Sequence, residues 1–366
     1  MHLEEWRKKN PFFIKKITIN NLVSKYNILW ELTDINILVG NNGSGKSTIF
    51  KLAQLGLQDI RSFDQNSIGG ILGKFDSMEI ELNNGKKGKV KISDGHEKND
   101  YMLKLLSELI ENEKFTSQSS HEEIEKIRKT IKNIENIKSS TSDITRYILE
   151  GQSEFFSKNE GDISYFNKNI SIEFISTFDM LLLSQEKYDK YSGKLYSELD
   201  VVIKEELDKL KDNIIQIKDK TKRDFIRKNN SKSLQEVDDK NNAKIDTLNN
   251  ELAIFFKESG KKVLVGKNGE LSISSNGQRL STRNLSSGEK QLILILIKTL
   301  NCSLFNPCLI FMDEPEISLH VAWQMNLINS LKKIADQSQI IVVTHSPALV
   351  MANYKSKMVD IKDLVF

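Results

Sequence analysis

Residues 40–48 read GNNGSGKST, a GxxxxGK[ST] pattern made by Gly40, Asn41, Asn42, Gly43, Ser44, Gly45, Lys46, Ser47 and Thr48. Glycines at this spacing let successive backbone N–H groups converge on a β-phosphate at the positive end of a helix. Lys46 would then reach the β and γ oxygens, and the Ser47 hydroxyl would face a Mg²⁺ ion. A glycine-rich turn with an incidental lysine is the plainer reading. It is the weaker one, because an apolar run (INILV, 35–39) precedes the pattern and a helical stretch near 46–57 follows it, as the chemistry requires.

Three further stretches carry groups that such a site would use. LIFMDE (309–314) is an apolar strand ending in two carboxylates, which could also be mere solvated caps. Beside a phosphate loop, Asp313 is placed to order the metal shell, and Glu314, one residue further on, to polarise an attacking water. THSP (344–347) follows the next apolar run, so His345 stands where ligands of open parallel sheets bind and can donate to a γ-phosphate or orient the water. LSSGEKQ (285–291) opens a long apolar helix. Ser286 or Ser287, with Gly288 behind it and Glu289 reaching back, makes a sound helix cap, and a helix start is also an anion site.

The elements that must hold these groups are legible as alternating patterns. Residues 12–19, 26–30 and 35–39 are short β-rich runs, and KFDSMEIELNNGKKGKVKISDG reads as two strands around Asn84-Gly85. The runs 308–312 and 339–343 are uninterruptedly apolar, as parallel strands buried on both faces should be. The expected fold is therefore α/β, an open sheet with helices. Between the motifs the composition turns to Lys, Glu, Asn and Ile. Ile124, Ile127, Ile131, Ile134 and Ile137 trace an amphipathic helix, and ISIEFISTF (170–178) a strand. Leu195, Leu199, Ile203, Leu207, Leu210, Ile214 and Ile217 then recur as in a coiled coil, with a break expected at KNNS (228–231), so 186–258 reads as a helical hairpin. A helix of about 40 residues would span ~60 Å. Near the expected tip, 218–232 holds Lys218, Lys220, Lys222, Arg223, Arg227, Lys228 and Lys232 against Asp219 and Asp224, a solvated helix end or a contact for DNA or an acidic partner.

Bulk properties narrow the class. With 366 residues and 39% hydrophobic content the chain can bury a large core, as one α/β domain with an insertion or as two domains. A net charge of +3 leaves nucleic-acid binding to local clusters. Cys302 and Cys308 are too few for a disulfide scaffold, and no run approaches a membrane span or a signal peptide, so a cytoplasmic protein without membrane insertion is expected.

Taken in order, Gly40–Thr48, LSSGEKQ, LIFMDEPEISLH and THSP resemble the ATP-binding cassette ATPases, P-loop NTPases with a two-lobe head. The resemblance covers roughly 10–97, 170–185 and 263–350. It implies ATP and Mg²⁺ as ligands and a head-to-tail homodimer, in which Ser286 and Gly288 of one copy contact the nucleotide held by the other and Ser318 lies in the loop crossing the interface. It also implies a glutamine between the lobes that senses the metal, for which Gln185 is nearest in order, and an aromatic against adenine, for which Tyr26 and Trp30 are candidates. The expected division is a first lobe (1–97), a helical insertion (98–169), a return strand with the glutamine loop (170–185), the hairpin arm (186–258) and a second lobe (259–366). DEPEISLHVAWQ with THSP is similar to the RecF, SMC and OLD-like branch, and most of all to stand-alone ATPases of anti-phage systems of the Septu and PARIS type. That implies control of a separate effector, such as a nuclease, or of DNA. A repair or recombination ATPase, a transporter's cytosolic subunit and an ATP-dependent scaffold with little turnover stay open beside it; the long hairpin argues against the transporter.

Overall fold

The computed structural model describes residues 3–57, 74–94, 125–126, 128–129, 131, 147–153, 168–176, 197–228, 232–351 and 354–366. In chain order the elements are α1 (Leu3–Lys9), β1 (Ile14–Leu22), β2 (Tyr26–Glu31), β3 (Ile35–Val39), α2 (Lys46–Leu57), β4 (Ser77–Leu82), β5 (Lys87–Asp94), β6 (Tyr147–Ser153) and β7 (Ser171–Ser176). They continue with helices α3 (Glu198–Lys228) and α4 (Lys232–Phe256), strands β8 (Lys261–Val265), β9 (Leu271–Ser275) and β10 (Gln278–Leu280), helix α5 (Ser287–Ser303), β11 (Cys308–Asp313), α6 (Val321–Ile334), β12 (Ser338–Val343), α7 (Ala348–Met351) and β13 (Met358–Asp360).

The chain divides into two compact units, the first made of 1–14, 32–50 and 156–363 and the second of 15–31, 51–155 and 364–366. The first is built on a parallel sheet in the order β13-β3-β12-β11-β7. Every residue of β11 and β12 is buried, which explains why these strands read as apolar throughout rather than alternating. A three-stranded antiparallel sheet, β10-β9-β8, belongs to the same unit. The second unit holds the antiparallel sheet β2-β1-β4-β5-β6. There α2 runs so close to β4 that a Cβ on Gly56 would come 2.7 Å from Met78 and 2.9 Å from Ile80.

This division is drawn differently from the expected lobes. The phosphate-loop strand β3 hydrogen-bonds to β12, more than 300 residues on, and so shares a unit with the carboxylate strand instead of with residues 51–97. Inside the expected helical insertion 98–169, residues 147–153 form strand β6, whose partner is β5. The β-prone Tyr-Ile-Leu run accounts for it.

The hairpin is present, with its two helices meeting near the expected break. Its base does not stand free. Leu210 and Ile214 of α3 and Ile245, Leu248 and Leu252 of α4 join one hydrophobic core with Leu292, Leu296 and Leu300 of α5. Polar ties run beside this seam: Lys290 to Asp200 at 2.9 Å, Lys298 to Glu173 at 2.7 Å, and Asn301 to the Glu206 carbonyl at 2.9 Å. Most of the expected helix at 124–137, Leu195 and the residues 229–231 of the tip lie outside the described residues.

Candidate active site

The carboxyl ends of β3, β11 and β12 lie side by side, with β12 in the middle, and each ends in a motif the sequence singled out. After β3 the chain turns through Gly40–Gly45 into α2. Gly43 and Gly45 take φ of 75° and 98°, conformations that only glycine adopts freely. A Cβ on Gly40 would meet Ile361 at 2.8 Å, so the loop is also held from behind by the segment following β13. Lys46 is 4% exposed, and its ammonium donates to the carbonyls of Gly40 and Asn41, both at 3.0 Å. Burial lowers its pKa, while Glu314, Asp313, Asp360 and Glu316 oppose the shift.

Asp313 ends β11, paired in register with Val343. The Ser47 hydroxyl donates to Asp313 Oδ1 at 3.2 Å, which brings the two expected metal-holding residues together. Glu314 follows with φ of 50°, a strained conformation for a non-glycine residue, fixed by its N–H on the Val343 carbonyl at 2.9 Å. It is 6% exposed. His345 Nε2 lies 3.3 Å from Glu314 Oε1, and the His345 backbone N–H donates to Glu314 Oε2 at 3.1 Å. Burial pushes the Glu314 carboxyl up to about 8; the neighbouring Glu316 and the charge of Asp313 add to it, and the His345 N–H opposes it. His345 is lowered by burial and by the Lys46 charge, with Glu316 opposing.

The turn before α5 has the expected form. Ser286 is the N-cap: its Oγ accepts from Glu289 N at 3.2 Å, and its N–H donates to Glu289 Oε2 at 2.7 Å. Lys261 holds Glu289 through both oxygens at 2.8 Å. Ser286 and Ser287 are exposed, while α5 is buried from Gly288 through Ile297. Ser318, exposed and with φ of 67°, sets its carbonyl against the Cα of Gly288, where a Cβ would come within 2.1 Å.

The residues present fit a nucleoside triphosphate with a divalent cation. The Ser44 hydroxyl is buried without a hydrogen-bond partner, the space a Cβ on Gly43 would fill is open, and a buried ammonium lies behind the loop. Gln185 lies outside the described residues. Trp30 is 2% exposed in the core of the second unit and leaves no free face for adenine; Tyr26, partly exposed, has the Lys25 ammonium 5.0 Å over its ring. Sequence reasoning missed Glu316 and Asp360. Glu316 sits two residues past Glu314 in DEPE, a spacing that was available as a signal; Asp360 ends a three-residue edge strand that gives none.

A family model, described as an AAA ATPase domain, matches residues 13–350. The Retron Vc95 probable ATPase of Vibrio cholerae serotype O1 biovar El Tor is 33% identical over 102 residues, and the Retron Ec83 probable ATPase of Escherichia coli 34% over 88. These stretches cover 25% and 21% of this chain but only 20% and 16% of the relatives. Among solved structures, the SMC head domain from Thermotoga maritima superposes with a TM-score of 0.41 at 14% identity over 93% of this chain and 92% of that one. An Smc head domain with an extended coiled coil bound to the C-terminal domain of ScpA, from Pyrococcus furiosus, gives 0.41 at 15% over 95% and 93%. The α/β P-loop fold is read from this chain's own parallel sheet, with β12 between the phosphate-loop and carboxylate strands. Beginning just ahead of β1 and ending just past His345, the family match takes in the phosphate loop, the turn before α5, the carboxylates after β11 and His345, and the chain belongs to the AAA ATPase domain family.

Proposed function

We propose that the protein hydrolyses ATP held between two copies of the chain, with the Ser286–Gly288 turn of one closing over the phosphate loop of the other. The supporting observation is the seat of Ser318 on Gly288. It joins the exposed Ser286 and Ser287 of the turn and the exposed Ser318 of the loop that follows Glu314 into one surface. Ser286 Oγ accepts in the cap and still has a proton to donate to a phosphate oxygen. Within each site Lys46 and the loop N–H groups bind the β- and γ-phosphates. Ser47 and Asp313 would hold Mg²⁺, which when bound supplies positive charge that favours ionised carboxyls and steadies the phosphoryl oxygens. Ionised Glu314 takes a proton from water as its oxygen attacks the γ-phosphorus and the bond to ADP breaks, while His345 orients that water or donates to the phosphoryl group.

Because the hairpin base is packed along α5, movement of the turn passes into α3 and α4, and we place a separate effector protein or DNA at the far end. That two relatives bear the name retron probable ATPase supports a role in anti-phage defence. The test is Glu314→Gln with ATP, followed by light scattering. The expected result is a doubled mass with nucleotide retained, absent in Lys46→Ala. Wild-type turnover by Glu314→Gln would remove its assigned role, and a monomer gripping ATP alone would remove the shared site.

A further inference from the structure

Glu316 is 8% exposed and gathers the loop that follows β12. Its Oε1 accepts from Thr344 Oγ1 at 2.5 Å, from His345 N at 3.0 Å and from Ser346 N at 3.0 Å. The His345 N–H is shared with Glu314 Oε2 at 3.1 Å, so one backbone donor lies between the two acids. Gln324 of α6 makes a second tie between the same loops: its Oε1 accepts from Ser346 Oγ at 2.6 Å, and its Nε2 donates to the Leu319 carbonyl at 2.9 Å. Ser318, which rests on Gly288, lies between these anchors. His345 therefore cannot shift against Glu314 without breaking charge-assisted bonds to a buried oxygen.

We infer that Glu316 is a positioning residue for hydrolysis, fixing 344–346 against 314–319 so that the His345 imidazole and the Glu314 carboxyl face one point. The inference rests on the reading that Glu314 and His345 serve ATP hydrolysis. An anchor needed only for folding would lower stability and leave turnover per folded molecule unchanged. A positioning residue changes turnover itself, because reacting groups displaced by about 1 Å lose on the order of 100-fold in rate.

Steady-state hydrolysis by the full chain tests it. Glu316→Gln keeps shape and one accepting oxygen without the charge; kcat should fall ~10-fold to ~100-fold with KM for ATP changed by less than about 3-fold. Thr344→Val, which removes the hydroxyl that donates to Glu316 and accepts from Ser346 N at 2.8 Å, should give a smaller fall in kcat, again with KM kept. Glu314→Gln is measured alongside. If Glu314→Gln is inactive while Glu316→Gln keeps its kcat, or changes KM alone, the inference is overturned and the hydrolysis reading stands. Wild-type turnover by Glu314→Gln would instead sink that reading. Should Glu316→Gln fail to fold, an unchanged kcat in Thr344→Val overturns the inference by itself.

Discussion

Lys290 Nζ lies 2.9 Å from Asp200 Oδ2, and both side chains are buried. The pair links the residue after Glu289, in the first turn of α5, to the first turn of α3. Ser197 Oγ accepts from the same ammonium at 3.2 Å. Burial would raise the Asp200 pKa, but hydrogen bonds from Lys290, Thr282 and Ser197 outweigh it and hold the carboxyl below its usual value. Removing one partner leaves the other charge buried and uncompensated. Asp200→Ala should therefore lose about 3–5 kcal/mol in denaturant unfolding, and the double change Asp200→Leu with Lys290→Met much less. A loss below about 1 kcal/mol for Asp200→Ala would mean that the pair is solvated.

Gly288 allows no side chain. A Cβ would sit 2.1 Å from a backbone oxygen, which cannot rotate away as a side chain could, so the loop carrying Ser318 must move. That loop starts at Glu314. Gly288→Ala should accordingly lower kcat at least ~10-fold while nucleotide binding, measured by calorimetry, changes by less than about 3-fold. Equal losses in binding and turnover would show damage beyond the loop.

The Glu314 carboxyl, raised to about 8, makes stability depend on pH. The raised pKa means that the folded state keeps a proton which the unfolded chain, titrating near 4.5, has released. Stability conferred by that proton is full below about 4.5, declines at about 1.4 kcal/mol per pH unit and is gone above about 8. Glu314→Gln carries no such charge and should flatten the profile. Its melting temperature should gain on the wild type as pH rises from 5 to 8, and a constant difference would place the proton elsewhere.

The phosphate loop, β3, α2 and the two apolar strands were readable because each is set by local signals, namely glycine spacing, unbroken apolar runs and a helical repeat. What the sequence hid depends on distance along the chain. Gln339 is fully buried, and its side chain bonds both the N–H and the carbonyl of Ile14, 325 residues away. Nothing around Gln339 announces that. Glu316 reaches Thr344 across 28 residues, and β13 is too short to show a period. Trp30 stood as a candidate to stack because an exposed and a buried strand aromatic have the same local pattern; its pairing with Ile17 on β1 and its burial tell them apart.

Basic residues mark the far part of α3, where Lys218, Lys220 and Arg223 are exposed. If this end of the hairpin meets DNA, each lysine or arginine that neutralises a phosphate adds about 0.9 to the slope of log affinity against log salt. The triple change Lys218→Glu, Lys220→Glu and Arg223→Glu should cut that slope by ~2 to ~3 and weaken binding alike for all sequences. Hydrolysis without DNA should stay as it was, because the three side chains are exposed on the far part of α3. Titration of a fluorescent duplex at several salt concentrations gives both numbers. An unchanged slope would show that DNA, if bound, is held elsewhere, and would leave the basic end of α3 to an acidic protein partner.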